Sequence, residues 1–163
     1  MLKRMAASLL TIILAAGMMV MVMAQTESTT DTYIDKFPVT NATPFTVYPY
    51  ARDKSNSSSM YLYITSLTVG TYVRVQARGM EYPDWTYYNA TASNTSNETC
   101  LADGTSVYYV TCSVGVDYSV HSLINEHGFE AATFGFQTPY ASTTTKLSGY
   151  WSSDSAYSHT DAY

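Results

Sequence analysis

The sequence predicts an all-β protein, an antiparallel β-sandwich of jelly-roll or immunoglobulin-like kind with about seven or eight short strands and one disulfide. Three observations predict it. Apolar residues alternate with period two along most of the chain, whereas a sustained helical stripe does not appear. Tyrosine, a strand former, occurs 16 times while only 13% of residues are charged. Turn-forming residues punctuate the alternating runs at the spacing of an all-β domain.

Taken in order, the chain opens on a targeting pattern. Lys3 and Arg4 precede an apolar run from Leu9 to Met23, and Val22-Met23-Ala24 places a small residue where signal peptidase requires one. An apolar run of about 15 residues falls short of the roughly 20 needed to span a bilayer, so residues 1–24 are expected to be a cleaved signal peptide. Residues 25–44 read as an extended N-terminal segment, 45–151 as the sandwich and 152–163 as a flexible tail without hydrophobic period.

Strands are expected at Phe45 to Tyr50, Met60 to Thr65, Tyr72 to Arg78, Trp85 to Asn89, Val107 to Cys112, Val114 to Val120, Ala131 to Phe136 and Lys146 to Trp151. Met60, Leu62 and Ile64 share one strand face and Val73, Val75 and Ala77 another, and the short link between the two strands reads as a hairpin turn. Gly115 suggests a bulge. The best helical stretch is Ser122 to Phe129, which Gly128 would end.

Composition also bounds function. Removing the leader takes the formal charge from −5 to −7, and the few basic residues are scattered singly. Such a chain has no electrostatic footprint for nucleic acid. With so few charges, the polar surface is expected to come from Ser, Thr, Tyr and attached sugars.

Five of the six asparagines, Asn41, Asn56, Asn89, Asn94 and Asn97, stand two residues before a Ser or Thr with no proline between. Chance placement would give about one or two. The excess predicts an N-glycosylated, secreted protein whose sequons lie on exposed backbone. In that oxidising setting Cys100 and Cys112 are expected to pair. The bond would contribute roughly 3 kcal/mol by closing a loop of about 12 residues. It excludes a tight hairpin at Asp103-Gly104, which would hold the two cysteines roughly 16 Å apart.

Several stretches together resemble the bacterial pre-peptidase C-terminal domain. They are Tyr61-Leu62-Tyr63-Ile64, Gly70-Thr71-Tyr72-Val73-Arg74-Val75, Tyr82-Pro83-Asp84-Trp85-Thr86-Tyr87-Tyr88, Glu98-Thr99-Cys100, Tyr108-Tyr109-Val110-Thr111-Cys112 and Asp117-Tyr118-Ser119-Val120. The resemblance covers about residues 45–122. It implies a jelly-roll-like sandwich of the kind attached to secreted enzymes; the family's paired acidic start to its central segment is here Asp84 alone.

Chemistry-bearing motifs are sparse. No Gly-x-Ser-x-Gly elbow is present to activate a serine. His127 and Glu130, with Glu126 adjacent and His121 nearby, lack the further ligands a metal site needs. Glu81 and Asp84 are too few for Ca²⁺. No catalytic residue, metal or cofactor is therefore predicted.

The aromatic residues are better candidates. Tyr82, Trp85, Tyr87 and Tyr88 lie within seven residues and suit stacking on a sugar ring or an apolar partner, although Trp85 equally suits the centre of a sandwich core. Tyr61, Tyr63 and Tyr72 are expected on outward strand faces, either as a contact surface or covered within the domain. The sequence thus predicts a non-catalytic structural subunit of an extracellular or cell-surface coat, matrix or filament. The alternative is a secreted carbohydrate- or protein-binding module. Expected partners are further copies of the chain, other extracellular proteins or carbohydrate; nucleic acid is not among them, nor is a membrane span after signal cleavage.

Overall fold

The structure is a computed structural model of the 163-residue chain. It describes residues 30–42, 44–80, 86–91, 101–102, 109–140, 143–155 and 160–162, with side chains at all but 101–102 and 160–162. The fold is all-β and built of antiparallel sheets, with no helix among the described residues.

Twelve strands are present among the described residues. They are β1 (Thr32–Val39), β2 (Thr46–Val47), β3 (Arg52–Asp53), β4 (Met60–Leu67), β5 (Tyr72–Met80), β6 (Tyr87–Asn89), β7 (Leu101–Ala102), β8 (Val110–Ser113), β9 (Asp117–Val120), β10 (Ala131–Gln137), β11 (Thr145–Ser152) and β12 (Thr160–Ala162). One sheet has five strands in the order β1-β11-β4-β9-β12, all antiparallel except the β9–β12 pair. In the other, β10 and β5 form the centre. The short strands β2 and β3 both pair with the outer edge of β10, β6 and β8 both pair with β5, and β7 pairs with β6.

Alternation decides which faces meet. Met60, Leu62 and Ile64 on β4, Leu147 and Trp151 on β11, and Ile34 on β1 face Val73, Val75 and Ala77 on β5 and Phe134 and Phe136 on β10, all at 0% exposure. Trp151 stands at the centre of this layer, edge-on to Phe134 at 5.7 Å and to Tyr48 at 6.1 Å. Among the described residues the core tryptophan is Trp151; Trp85 lies outside them.

The expected hairpin between the Met60 and Tyr72 strands is not formed. β4 belongs to one sheet and β5 to the other, so the link between them crosses the core edge. Thr145 anchors that crossing: its Oγ1 accepts from the Val69 N–H and donates to the Val69 carbonyl, each at 3.0 Å. Gly70 follows with φ +85°, where a Cβ would meet the Tyr140 ring. The chain crosses again between β8 and β9, through Gly115 at φ +80°, which is a turn rather than a bulge within one strand. Period-two alternation is identical for a hairpin and for two strands facing each other across a core, which is why the two were confusable.

Described residues on both sides of the expected sandwich also pair within the chain. Thr32–Val39, within the extended N-terminal segment, pairs with β11 of its own chain. Within the expected tail, Ser152, Ser153 and Asp154 are buried and Thr160–Ala162 pairs with β9. Polar side chains hold this region, so no hydrophobic period marks it in the sequence. The Ser122–Phe129 stretch forms turns, ended by Gly128 at φ +77°.

Irregularities in the five-stranded sheet converge on Ser148-Gly149. The register slips in β1 between Ile34 and Phe37 and in β4 opposite Ser148/Gly149. Lys36 takes φ 46° in the first bulge, a left-handed conformation that costs a non-glycine residue about 1–2 kcal/mol. Its N–H donates to Ser148 Oγ at 3.1 Å, while the Ser148 carbonyl accepts from Thr65 Oγ1 at 3.0 Å in the second. At the next residue a Cβ would meet the Tyr63 carbonyl oxygen at 2.3 Å and the Ile64 Cα at 3.2 Å. Backbone does not yield as a flexible side chain does, so only glycine fits. Gly149→Ala is therefore expected to lower the unfolding free energy by about 1–3 kcal/mol, measured by denaturant titration.

Candidate functional site

The bulges have a consequence on the outer face of the five-stranded sheet. Register places Tyr150 of β11 opposite Tyr33 of β1 on one side and Tyr63 of β4 on the other. Trp151, next in sequence, points into the core. Tyr33 and Tyr150 are 50% and 40% exposed, and their ring centroids are 5.1 Å apart. Tyr63 is half-buried at the inner end of the row. Tyr61 lies on the same strand face, half-buried, and its hydroxyl donates to Asp117 Oδ1 at 3.0 Å across to β9.

Of the three outward tyrosines expected together, the structure groups Tyr61 and Tyr63 but puts Tyr72 on the other sheet, beside Tyr140 at 6.0 Å. Tyr33 and Tyr150 were missed. The signal was there in part: Tyr150 alternates with Trp151 in a strand that was expected, but its neighbours could be known only from the pairing.

In the expected Tyr82–Tyr88 cluster, Tyr82 and Trp85 lie outside the described residues. Tyr87 and Tyr88 are half-buried on β6, and Tyr88 stacks flat on Phe129 with centroids 5.3 Å apart. That ring face is already covered. Phe129 in turn lies over Gly79, where a Cβ would come within 2.4 Å of its ring.

A polar site forms where the two sheets close on each other at the ends of β3 and β11. Lys54 Nζ lies 2.6 Å from Asp154 Oδ1, with both side chains at 0% exposure. The ammonium also donates to the carbonyls of Asn56 at 2.8 Å and Ser58 at 2.6 Å. Asp154 Oδ2 accepts from the Ser55 hydroxyl at 3.0 Å and the Ser55 N–H at 3.4 Å. Ser153, itself buried, donates through its hydroxyl to the Asp53 carbonyl at 2.6 Å. Removing one partner of such a pair leaves a buried charge, whereas the complete set of hydrogen bonds offsets much of its desolvation.

Next to this pair lies a cleft of about 460 Å³ lined by Asp53, Lys54, Ser55, Asn125, Phe129 and Glu130 among others. Asp53 and Glu130 are exposed, and the Lys54 N–H closes one wall by donating to the Glu130 carbonyl at 3.0 Å. His127 lies beside Phe129, while His121 Nδ1 is 3.1 Å from Ser59 Oγ. Among the described residues no group of three or more His, Cys, Asp or Glu side chains stands close enough to hold a metal ion. Glu81 and Asp84 lie outside them.

The sequons fall in three environments. Asn41 is exposed. Asn56 is half-buried and its Oδ1 accepts from the Ser58 N–H at 2.8 Å. Asn89 is 4% exposed, and its Oδ1 accepts from both the N–H of Thr91 at 3.1 Å and the Thr91 hydroxyl at 2.6 Å. A glycan on Asn89 would have to displace this lock. Asn94 and Asn97 lie outside the described residues. In two of these sites the spacing of Asn from Ser or Thr therefore makes an Asx-type turn, a fold-level cause for the same pattern.

The expected disulfide is not seen. Cys112 is a free thiol at 0% exposure among core side chains, and Cys100 lies outside the described residues. Burial pushes the Cys112 thiol pKa up, which keeps it protonated and unreactive.

Burial, followed by the hydrogen bond to Asp117, raises the pKa of the Tyr61 hydroxyl above its ordinary 10.0. Burial raises that of Tyr48 in the same direction. Folding therefore holds these phenol protons more tightly than the unfolded chain does. Their contribution is fully present below about pH 10 and is lost as pH rises past that point. Tyr61→Phe is expected to flatten the loss of stability above about pH 10, measured as denaturation midpoint against pH; an unchanged slope would mean that another group governs alkaline unfolding.

No curated protein and no solved structure matches the chain. One family model does, over residues 20–155, which includes all the strands from β1 to β11, the tyrosine row and the Lys54–Asp154 pair. The chain belongs to that family, DUF2712, described as a protein of unknown function.

Proposed function

We propose that the protein is an exported, non-catalytic structural subunit of an extracellular or cell-surface assembly, and that it works through the tyrosine row on its five-stranded sheet. The single observation that carries this reading is the juxtaposition of Tyr33, Tyr150 and Tyr63 across three strands, with the outer two rings open to solvent. Exposed aromatic rings grouped on one face cost free energy in water and regain it against a partner. Hydrogen-bond addition at the β1 edge suits assembly less well. The bulge at Asp35-Lys36 and Pro38 interrupt that edge, as in strands protected from edge-to-edge pairing.

Export is supported by the basic start, the short apolar run and Ala24. The finer fold is that of a β-sandwich of jelly-roll or immunoglobulin-like kind, supported by the repeated strand-to-strand links that cross between sheets and by the likeness to the pre-peptidase C-terminal domain. Among the described sequons Asn41 is best placed to carry a glycan, and Asn56 follows.

A second reading, carbohydrate binding, rests on the same row, where Asp117 and the Tyr61 hydroxyl set polar groups beside the rings. One experiment separates the two. Chromatography of the mature protein at low and high concentration is expected to show self-association that Tyr33→Ser/Tyr150→Ser abolishes while the fold, followed by circular dichroism, persists. A monomer at both concentrations that binds a glycan array through the same tyrosines would replace the first reading with the second. A monomer indifferent to both substitutions would remove both.

A further inference from the structure

We propose that Lys54 and Asp154 condense to an intramolecular isopeptide bond. The two side chains reach one another from opposite sheets: Lys54 directly follows β3 of the seven-stranded sheet, and Asp154 lies just past the end of β11 of the five-stranded one. The bond ties both sheets together across a separation of 100 residues. Its reactants are already assembled. An oxygen 2.6 Å from Nζ sets the carboxyl carbon of Asp154 about 3–3.5 Å from the nitrogen, the separation of a near-attack pair. Both side chains are fully enclosed, so the competing water of solution is excluded from the reacting atoms.

The surrounding hydrogen bonds divide the labour between the two carboxyl oxygens. Oδ2 is held by the hydroxyl and the N–H of Ser55, two donors aimed where negative charge develops when an amine adds to the carbon. Oδ1 faces Nζ and is the oxygen that leaves. The carbonyls of Asn56 and Ser58 fix the remaining nitrogen protons and so aim the nitrogen.

In the reaction the ammonium first passes one proton to Oδ1, giving a neutral amine and a carboxylic acid, the less costly form of the pair when dry. The nitrogen lone pair then attacks the carboxyl carbon, and the charge that forms on Oδ2 is met by Ser55. A second proton moves from nitrogen to Oδ1, the carbon–oxygen bond breaks and water departs. The product is an amide between Nζ and the Asp154 carbonyl. No oxidant, metal or co-reactant enters the balance.

The test is the intact mass of the purified mature protein under denaturing conditions, followed by proteolysis and fragment sequencing. The expected result is a mass lower by one water and a branched peptide that carries Lys54 joined to Asp154. Lys54→Arg, which keeps a cation at the site but forms no such amide, is expected to restore the full mass. Full sequence mass for the wild type with Lys54 and Asp154 in separate peptides overturns the proposal and leaves an ion pair only. Loss of water with the link placed elsewhere overturns it as well. Because the wild-type measurement is made on denatured protein, it decides the matter even where the variant fails to fold.

Discussion

The close approach of β11 to β4 at Gly149 is the constraint on which the rest of this sheet depends. A residue with a Cβ there would strike the Tyr63 carbonyl, and the strand pair would have to part. Ser148, one position earlier, links the bulges of both neighbouring strands through its hydroxyl and its carbonyl. Together the two residues set the register that sends Trp151 inward and Tyr150 outward. Core face and tyrosine face are thereby fixed by one short stretch of backbone. This couples stability to the proposed function: a change that loosens the sheet at Gly149 also disperses the tyrosines.

Inward faces were legible because alternation is a local signal. Met60, Leu62 and Ile64, and likewise Val73, Val75 and Ala77, are buried as their spacing demands. What alternation lacks is the identity of the partner strand, so β4 and β5 were read as a hairpin although they face each other across the core. The tyrosine row was illegible for the same reason. Tyr33 and Tyr150 are neighbours only through the β1–β11 register, which no local pattern encodes.

Polar segments were misread for a different reason. Hydroxyl-rich sequence suggests surface, yet Thr133, Thr145 and Ser153 are at 0% exposure here. Each satisfies backbone groups that the ladders leave over. The Thr133 hydroxyl lies 3.0 Å from the carbonyls of Tyr48 and Tyr50, where Pro49 interrupts the edge strand that β2 and β3 share. The same holds for the asparagines. Asn89 and Thr91 have the spacing of a sequon, and the same spacing lets the side-chain carbonyl accept from the backbone two residues on. Sequence spacing alone does not separate these uses, and burial does. Ser and Thr thus serve the interior as well as the surface, and the Lys54–Asp154 pair is the extreme case of this polar internal bracing.

The most direct test of the tyrosine row as the contact face is hydroxyl-radical footprinting of the mature protein, dilute and concentrated, read residue by residue. Tyr33 and Tyr150 should label readily when dilute and be protected when concentrated. Tyr50 and Tyr109, 66% and 40% exposed elsewhere on the surface, should label alike in both. Equal labelling of Tyr33 and Tyr150 at both concentrations, or protection of Tyr50 and Tyr109 instead, would contradict the account.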